Sequence, residues 1–374
     1  MIARRTGEKN EVAVGIIFDH SLLILSSLGL ILFAILKWGS PFILRIMLQS
    51  PELIKATGEF LEYRSYGLIF VMIATAFRSF YVGIAQTKIF VVYSFLMAGI
   101  NFFLCYFLIL GHGGFMAMGI SGAGLASSIA EFLSLLYIFF YTYLKSTINN
   151  YNLFSFKSIS KGMINKIMNL SLPLVVQNLL SMGSWFIFFV FIEKIGKHEL
   201  AISNIVRGTY MISMTPVWGF SVAANSMISN IIGQNKQNEV FHLLKRIISI
   251  TLIISATMIV INLVFPHQVL NLFTNNEKII QDSLGSLLMI DLAMIFFSFA
   301  IVSISAVSGT GATNVALKIE IAAIAIYLIY NYMITFVFHG TVELLWLSET
   351  IYWFFTGVAS YVYIRSMRWK KITV

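Results

Sequence analysis

The amino-acid sequence predicts an all-α, polytopic membrane protein of about ten transmembrane helices arranged as two lobes. Three observations predict it. Of the 374 residues, 58% are hydrophobic and only 11% are charged, whereas an ordinary soluble domain carries roughly a quarter charged residues. Apolar stretches long enough to cross a hydrocarbon layer roughly 30 Å thick, which takes about 20 helical residues, recur along almost the whole chain. They are near-continuous runs of Leu, Ile, Phe and Met, not the short alternating segments of a membrane β-barrel.

Ten spans follow in order. The first, over 13–37, carries the adjacent Asp19 and His20; the second, over 63–83, begins beside Arg64. The third, over 88–110, holds Cys105, the only cysteine, so no disulfide or cysteine metal site forms within one chain. The fourth, over 119–143, opens with Gly122 and Ala126, a small-xxx-small pair suited to close helix contact, and contains Glu131. Its glycines follow no strand and turn, so they make no nucleotide fingerprint. The fifth, over 168–192, contains Pro173, which removes one helical hydrogen bond and leaves a carbonyl available near Gln177, Asn178 and Ser181. The sixth, over 200–229, contains Arg207, and the seventh covers 243–265. The eighth, ninth and tenth, over 287–309, 315–338 and 342–364, carry Asp291, Glu320 and Glu349.

Basic residues set the expected orientation, because Lys and Arg accumulate in cytoplasmic loops. With the N-terminus inside, seventeen Lys and Arg fall on the cytoplasmic side, from Arg4, Arg5 and Lys9 to Lys370 and Lys371, and six fall outside. An even number of spans puts both termini in the cytoplasm. The net charge of +9 is scattered over short loops and not gathered on one basic face, so topology accounts for it and nucleic-acid binding is not expected. Arg4 and Arg5 mixed with Glu8 and Glu11, before a long apolar run, do not read as a cleaved signal peptide.

An internal repeat organises the spans. Gly7-Glu8-Lys9-Asn10 before the first resembles Gly233-Gln234-Asn235-Lys236 before the seventh, a shift of 226. The same shift carries Gly83-Ile84-Ala85-Gln86-Thr87 onto Gly309-Thr310-Gly311-Ala312-Thr313. Units displaced by six spans keep the same orientation, so the duplication is of the parallel kind. The expected lobes are an N-lobe over 1–146 with four spans, a cytoplasmic linker over 147–166, and a C-lobe over 167–374 with six. Spans five and six have no counterparts before Met1, which is expected either of a four-helix first bundle or of a shortened reading frame.

From Leu172-Pro173-Leu174-Val175-Val176-Gln177-Asn178, through Pro216-Val217-Trp218-Gly219-Phe220, to Ile232-Gly233-Gln234-Asn235-Lys236, the chain resembles the multidrug and toxic compound extrusion (MATE) family. Ala3-Arg4-Arg5-Thr6-Gly7 and Gly119-Ile120-Ser121-Gly122-Ala123-Gly124 resemble it too, as its turn after the second helix and the start of its sixth. The resemblance implies twelve helices in two lobes around a cleft, of which the first two are absent here. It implies export of amphipathic, often cationic small molecules in exchange for H⁺ or Na⁺, with no other cofactor. It further implies a monomer in a bacterial inner membrane, with the bilayer and a small-molecule substrate as partners. The rival readings are a lipid-linked oligosaccharide flippase of the related superfamily and an inactive fragment. No metal spacing, nucleophile elbow or phosphate loop supports an enzyme.

Ionisable groups at membrane depth are costly unless paired or wet, so each is a candidate by default. Glu131 lies about 20 Å along its helix from Met118, near the midplane. It is either a cleft-facing carboxylate or one tied to Ser127 or Ser128. Asp291, about 27 Å from Gly309, either forms an outer gate with Arg64 or stands as an unrelated interfacial charge. Arg207 is expected to anchor structure. Gln177 and Asn178 line a polar cavity or pack. Glu320 and Glu349 are expected at interfaces, and Asp19 and His20, about 100° apart on a helix, are expected to form no shared site. The candidate path is thus Glu131, Gln177, Asn178, Asp291 and Arg207, with Arg64 and Asp291 as the candidate gate and no metal.

Overall fold

The computed structural model describes residues 1–145, 150–156 and 159–372. Every regular element among the described residues is helical, and the chain divides into two compact units, Met1–Asn165 and Lys166–Val374. Of the linker expected over 147–166, residues 147–149, 157 and 158 lie outside the described residues.

The first unit contains α1 (Ile2–Gly7), α2 (Glu11–Ala34), α3 (Ser40–Met47), α4 (Pro51–Gly83), α5 (Lys88–Leu110) and α6 (Ile120–Leu144). A π turn over Ile35–Gly39 joins α2 to α3, making one span from Glu11 to Met47. Helix α4 packs between α2 and α6, and α5 lies on α6. Phe18, Phe77 and Phe80 are buried at the centre of this unit, with ring centroids 5.3 Å apart for Phe18 with either partner.

Six long helices make the second unit: α7 (Lys161–Ile195), whose first residues belong to the preceding unit, α8 (Lys197–Gly233), α9 (Val240–Val264), α11 (Glu277–Gly309), α12 (Thr313–Tyr332) and α13 (Val342–Arg365). The short α10 (Pro266–Asn271) links α9 to α11. Helix α11 packs against α8, α9, α12 and α13. Among the described residues, eight of the ten long helices are apolar enough to cross a bilayer by length and composition. The other two, α8 and α13, carry more polar and aromatic side chains, of which Ser203, Thr209, Tyr210 and Ser213 of α8 and Trp346, Ser348, Tyr352 and Thr356 of α13 are buried.

Several helices extend beyond the spans expected from hydropathy. Helix α4 starts at Pro51, not near 63, and α11 at Glu277, not near 287. Each extension begins with a cap: Ser50 Oγ accepts from Leu53 N ahead of Pro51 and Glu52, and Asn276 Oδ1 accepts from Lys278 N and Ile279 N. An apolar window sees the lipid-facing part, whereas caps and dipole-matched acids mark the helix itself.

The repeat is written in the backbone. Lys9 (φ 57°) and Asn235 (φ 62°) are left-handed at the 226-residue shift, and so are Ala85 (φ 58°) and Gly311 (φ 93°). Their hydrogen bonds repeat as well: Asn10 N donates to Arg5 O at 2.9 Å, and Lys236 N donates to Ile231 O at 3.1 Å. Such closures satisfy carbonyls left over at a helix end.

Asp19 and His20 correct an expectation. Asp19 Oδ1 accepts from Phe154 N at 2.8 Å, Oδ2 accepts from Phe156 N at 3.0 Å, and His20 Nε2 accepts from Ser160 N at 3.0 Å. The His20 Nδ1–H donates to Ile16 O at 2.7 Å, which leaves Nε2 free to accept. The two side chains diverge on their helix, yet both bond backbone N–H groups of the connector, Asp19 those of Phe154 and Phe156 and His20 that of Ser160. Together they fasten the connector to α2.

Candidate functional site

Four helices of the second unit contribute most of the side chains around a cavity of about 410 Å³, and α11 adds Ile301 and Ile304. Gln177, Ser181 and Trp185 follow one another at four-residue spacing on α7, so they share one face. Helix α8 adds Met211, Met214 and Trp218; α12 adds Glu320 and Tyr327; α13 adds Glu349, Tyr352 and Trp353. Helix α7 continues through Pro173, one turn before Gln177.

Two buried carboxylates organise the cavity: Glu320 and Glu349 are each 2% exposed and turned into the helix bundle. Glu349 is saturated. Its Oε1 accepts from Trp185 Nε1 and Tyr327 OH, both at 3.0 Å, and its Oε2 accepts from Trp353 Nε1 at 3.2 Å and Tyr210 OH at 3.3 Å. An ionised carboxylate offers about four acceptor sites, and here all four are filled by neutral donors. Glu320 is held differently: Ser181 and Tyr352 hydroxyls donate to Oε1, and Gln177 Nε2 donates to Oε2 at 3.3 Å. Three donors leave one acceptor direction open. No Lys, Arg or His pairs with either carboxylate among the described residues.

The cavity therefore sets two carboxyl groups against aromatic and thioether surface. Indole and phenol faces attract cations through their quadrupoles, and Met182, Met211 and Met214 adapt to differing shapes. Asn178 lines the same cavity, its Nδ2 donating to Leu174 O at 2.8 Å. Arg207 lies one turn from Met211 on α8, its guanidinium 4.8 Å from the centroid of Phe189.

The remaining candidates take partners within their own units. Arg64 grips Glu131 with two parallel hydrogen bonds, Nη1 to Oε2 at 2.7 Å and Nη2 to Oε1 at 2.8 Å. Gly67 makes room for this pair, since a Cβ there falls 2.1 Å from Arg64 Nη1 and 2.2 Å from Glu131 Oε2. Ser128 does not hold Glu131; its hydroxyl donates to Tyr63 O at 2.7 Å and accepts from Gly67 N at 3.1 Å. Asp291 Oδ1 accepts from Asn262 Nδ2 at 2.7 Å, between α11 and α9. Glu320 and Glu349 were left out of the candidate path because each lies near an end of its span, which says nothing of the direction it faces. The legible signal was the stripe of Gln177, Ser181 and Trp185 on α7, echoed by Glu349 and Trp353 on α13.

Comparison with known proteins places this site in context. The MatE family model matches residues 1–107 and 173–333. A probable multidrug resistance protein NorM from Thermotoga maritima is 23% identical over 321 residues, covering 83% of this chain and 67% of the relative. A probable multidrug resistance protein YoeA from Bacillus subtilis is 23% identical over 288 residues, covering 74% and 60%. The chain thus spans 60 to 67% of the length of these two curated relatives. Among solved structures, a MOP superfamily transporter from Pyrococcus furiosus superposes with a TM-score of 0.90 at 18% identity, covering all of this chain and 83% of that one. An outward-facing multidrug resistance MATE family transporter superposes at 0.89 and 17% identity, covering 98% and 81%. These likenesses give the fold.

Proposed function

We propose that this chain, which belongs to the MatE family, exports amphipathic organic cations across a bilayer in exchange for H⁺ or Na⁺. The observation that carries the reading is the cavity of the second unit, where two buried carboxylates meet Trp, Tyr and Met without a basic partner among the described residues. Glu349, with every acceptor filled, fixes the aromatic wall. Glu320, with one direction open, is the exchanging group. A substrate cation and a coupling ion that compete for the same carboxylate cannot both occupy it, and mutual exclusion at one site is what antiport requires. Alternating access then presents the site to each side in turn.

A one-for-one exchange of H⁺ or Na⁺ for a monocation moves no net charge, so the membrane potential cancels and the concentration ratio of the coupling ion sets the limit: each tenfold of it, about 1.4 kcal/mol, supports about a tenfold substrate gradient. Gln177 and Asn178 serve as cavity wall in this reading, Arg207 as an anchor on Phe189, and the Arg64–Glu131 pair as a structural tie within its unit. A carboxylate-lined cavity repels pyrophosphate, which weighs against a lipid-linked oligosaccharide flippase. The bacterial inner membrane, two cytoplasmic termini and a monomeric state complete the proposal.

The test is efflux of ethidium, a monocation, from a pump-deficient host. Cells making the protein are expected to accumulate less dye than empty-vector cells, and Glu320→Gln is expected to remove the difference. Equal accumulation in all three would refute export of monocations.

A further inference from the structure

We infer that Asp291 is a proton-binding site of its own, separate from the cavity. It rests on how the buried carboxylates of the spanning helices are compensated. Glu131 receives two hydrogen bonds from a guanidinium, Glu349 receives four from neutral donors, Glu320 receives three, and Asp19 receives backbone N–H groups from Phe154 and Phe156. Asp291 receives one, from the Asn262 amide, and its Oδ2 is buried with no partner. Asp291 and Asn262 are each only 4% exposed.

The titratable side chains on the helices packed against α11 are engaged elsewhere or make no bond to it. On α8, Arg207 stacks on Phe189, Tyr210 bonds Glu349 and His198 pairs with Asp282. On α12 and α13, Tyr327 bonds Glu349, and Tyr352 bonds Glu320. His267 of α10, His242, Lys245 and Arg246 of α9, Lys318 and Tyr330 of α12, and Glu343, Tyr361, Tyr363 and Arg365 of α13 form no hydrogen bond or ion pair with Asp291 among the described residues. An ionised carboxylate taken out of water with one neutral donor is costly enough that such groups neutralise. A proton on Oδ2 removes that charge and needs a single atom. A hard metal cation needs about six oxygens, and one carboxylate already tied to Asn262 does not supply them.

The ligand is therefore H⁺, taken up as a carboxylate and a proton combine into a carboxylic acid, with Oδ1 still accepting from Asn262. Asn262 lies two residues before Val264, the last residue of α9, within one helical turn of the exposed bend at Phe265, which gives the proton a short way in. Ser255, two turns back on the Asn262 face of α9, has a buried hydroxyl without a partner and lies along the same seam.

Infrared difference spectroscopy of the purified full chain at neutral pH, in a detergent without ester groups, tests this. The wild type is expected to show a protonated-carboxyl C=O band that Asp291→Asn loses. Asn262→Leu is expected to keep that band but raise its frequency, because the acid's carbonyl loses its donor. The band is expected to persist in Glu320→Gln, so failure of the cavity reading does not touch this one. An Asp291→Asn spectrum that loses only ionised-carboxylate bands would overturn the inference, as would an unshifted band in Asn262→Leu should the aspartate variant not fold.

Discussion

Replacing each cavity carboxylate by its amide separates the two roles assigned to them. Glu320→Gln removes one charge at the open acceptor. A monocation about 4 Å from a carboxylate gains about 4 kcal/mol at an effective dielectric of 20 and about 1 kcal/mol in bulk water. The cavity lies between these limits, so a loss of about 2 kcal/mol is expected, or roughly a 30-fold weaker Kd. Folding should change little, since the amide oxygen keeps the Ser181 and Tyr352 donors, the Gln177 amide can turn its oxygen toward the new NH₂, and a buried charge is relieved. Glu349→Gln acts oppositely. An amide NH₂ confronts two of the four donors on Glu349, and hydrogen bonds to a charged group are worth about 1.5–3 kcal/mol each. Relief of charge burial, of order several kcal/mol, offsets part of this loss. A net cost of about 2 kcal/mol lowers the melting temperature of a unit the size of Lys166–Val374 by about 4–8 °C. Fluorescence titration with ethidium and thermal denaturation in detergent read the two effects. Weaker binding in Glu349→Gln than in Glu320→Gln, at an unchanged melting temperature, would refute the division of labour.

Three further outcomes are expected. Arg64→Met or Glu131→Leu alone should lower thermal stability by about 3 kcal/mol by stranding a largely buried charge, while the double variant should recover most of it; additive losses would show that the pair contributes nothing as a pair. Gly67→Ala should resemble the single variants in the same melting assay, since its Cβ occupies the space of Arg64 Nη1 and Glu131 Oε2. Asp19→Ala should cost about 2–4 kcal/mol, because two connector N–H groups lose their acceptor, and limited proteolysis should cut near Phe154 and Phe156 faster than in the wild type; an unchanged cleavage pattern would show that the connector is held by packing alone.

The order of helices was legible because lipid forces each span to satisfy its own backbone, so apolar length reports a helix directly. The 226-residue repeat was legible because helices end on glycines at matching positions, Gly7 and Gly83 in the first unit and Gly233 and Gly309 in the second. Helix ends were less legible. Ser50 and Asn276 carry α4 and α11 beyond the apolar window with caps whose residues look, in one dimension, like loop. The site was half legible: Gln177 and Asn178 stand in the cavity where Pro173 drew attention to them, but Glu320 and Glu349 were assigned to interfaces from their distance to a helix end. Distance along a helix fixes depth and leaves the facing direction open, and both residues face inward.

The two units handle a buried carboxylate in opposite ways, and the difference bears on transport. In the first unit Glu131 meets Arg64, so the pair is neutral and its geometry is fixed by two parallel bonds. A cation approaching Glu131 must displace a guanidinium that is always charged. In the second unit the compensation comes from indoles, phenols, a hydroxyl and an amide, which stabilise negative charge without cancelling it. That charge is still there to be bound. A cation reaching Glu320 displaces no resident ion and meets a carboxylate already oriented by Ser181, Tyr352 and Gln177. Converting the second arrangement into the first should then abolish cation binding without unfolding the protein: Gln177→Arg sets a guanidinium where an amide now donates to Glu320. Ethidium binding at wild-type strength in that variant, with the cavity carboxylate paired, would mean that the cation is recognised by the aromatic wall and not by charge.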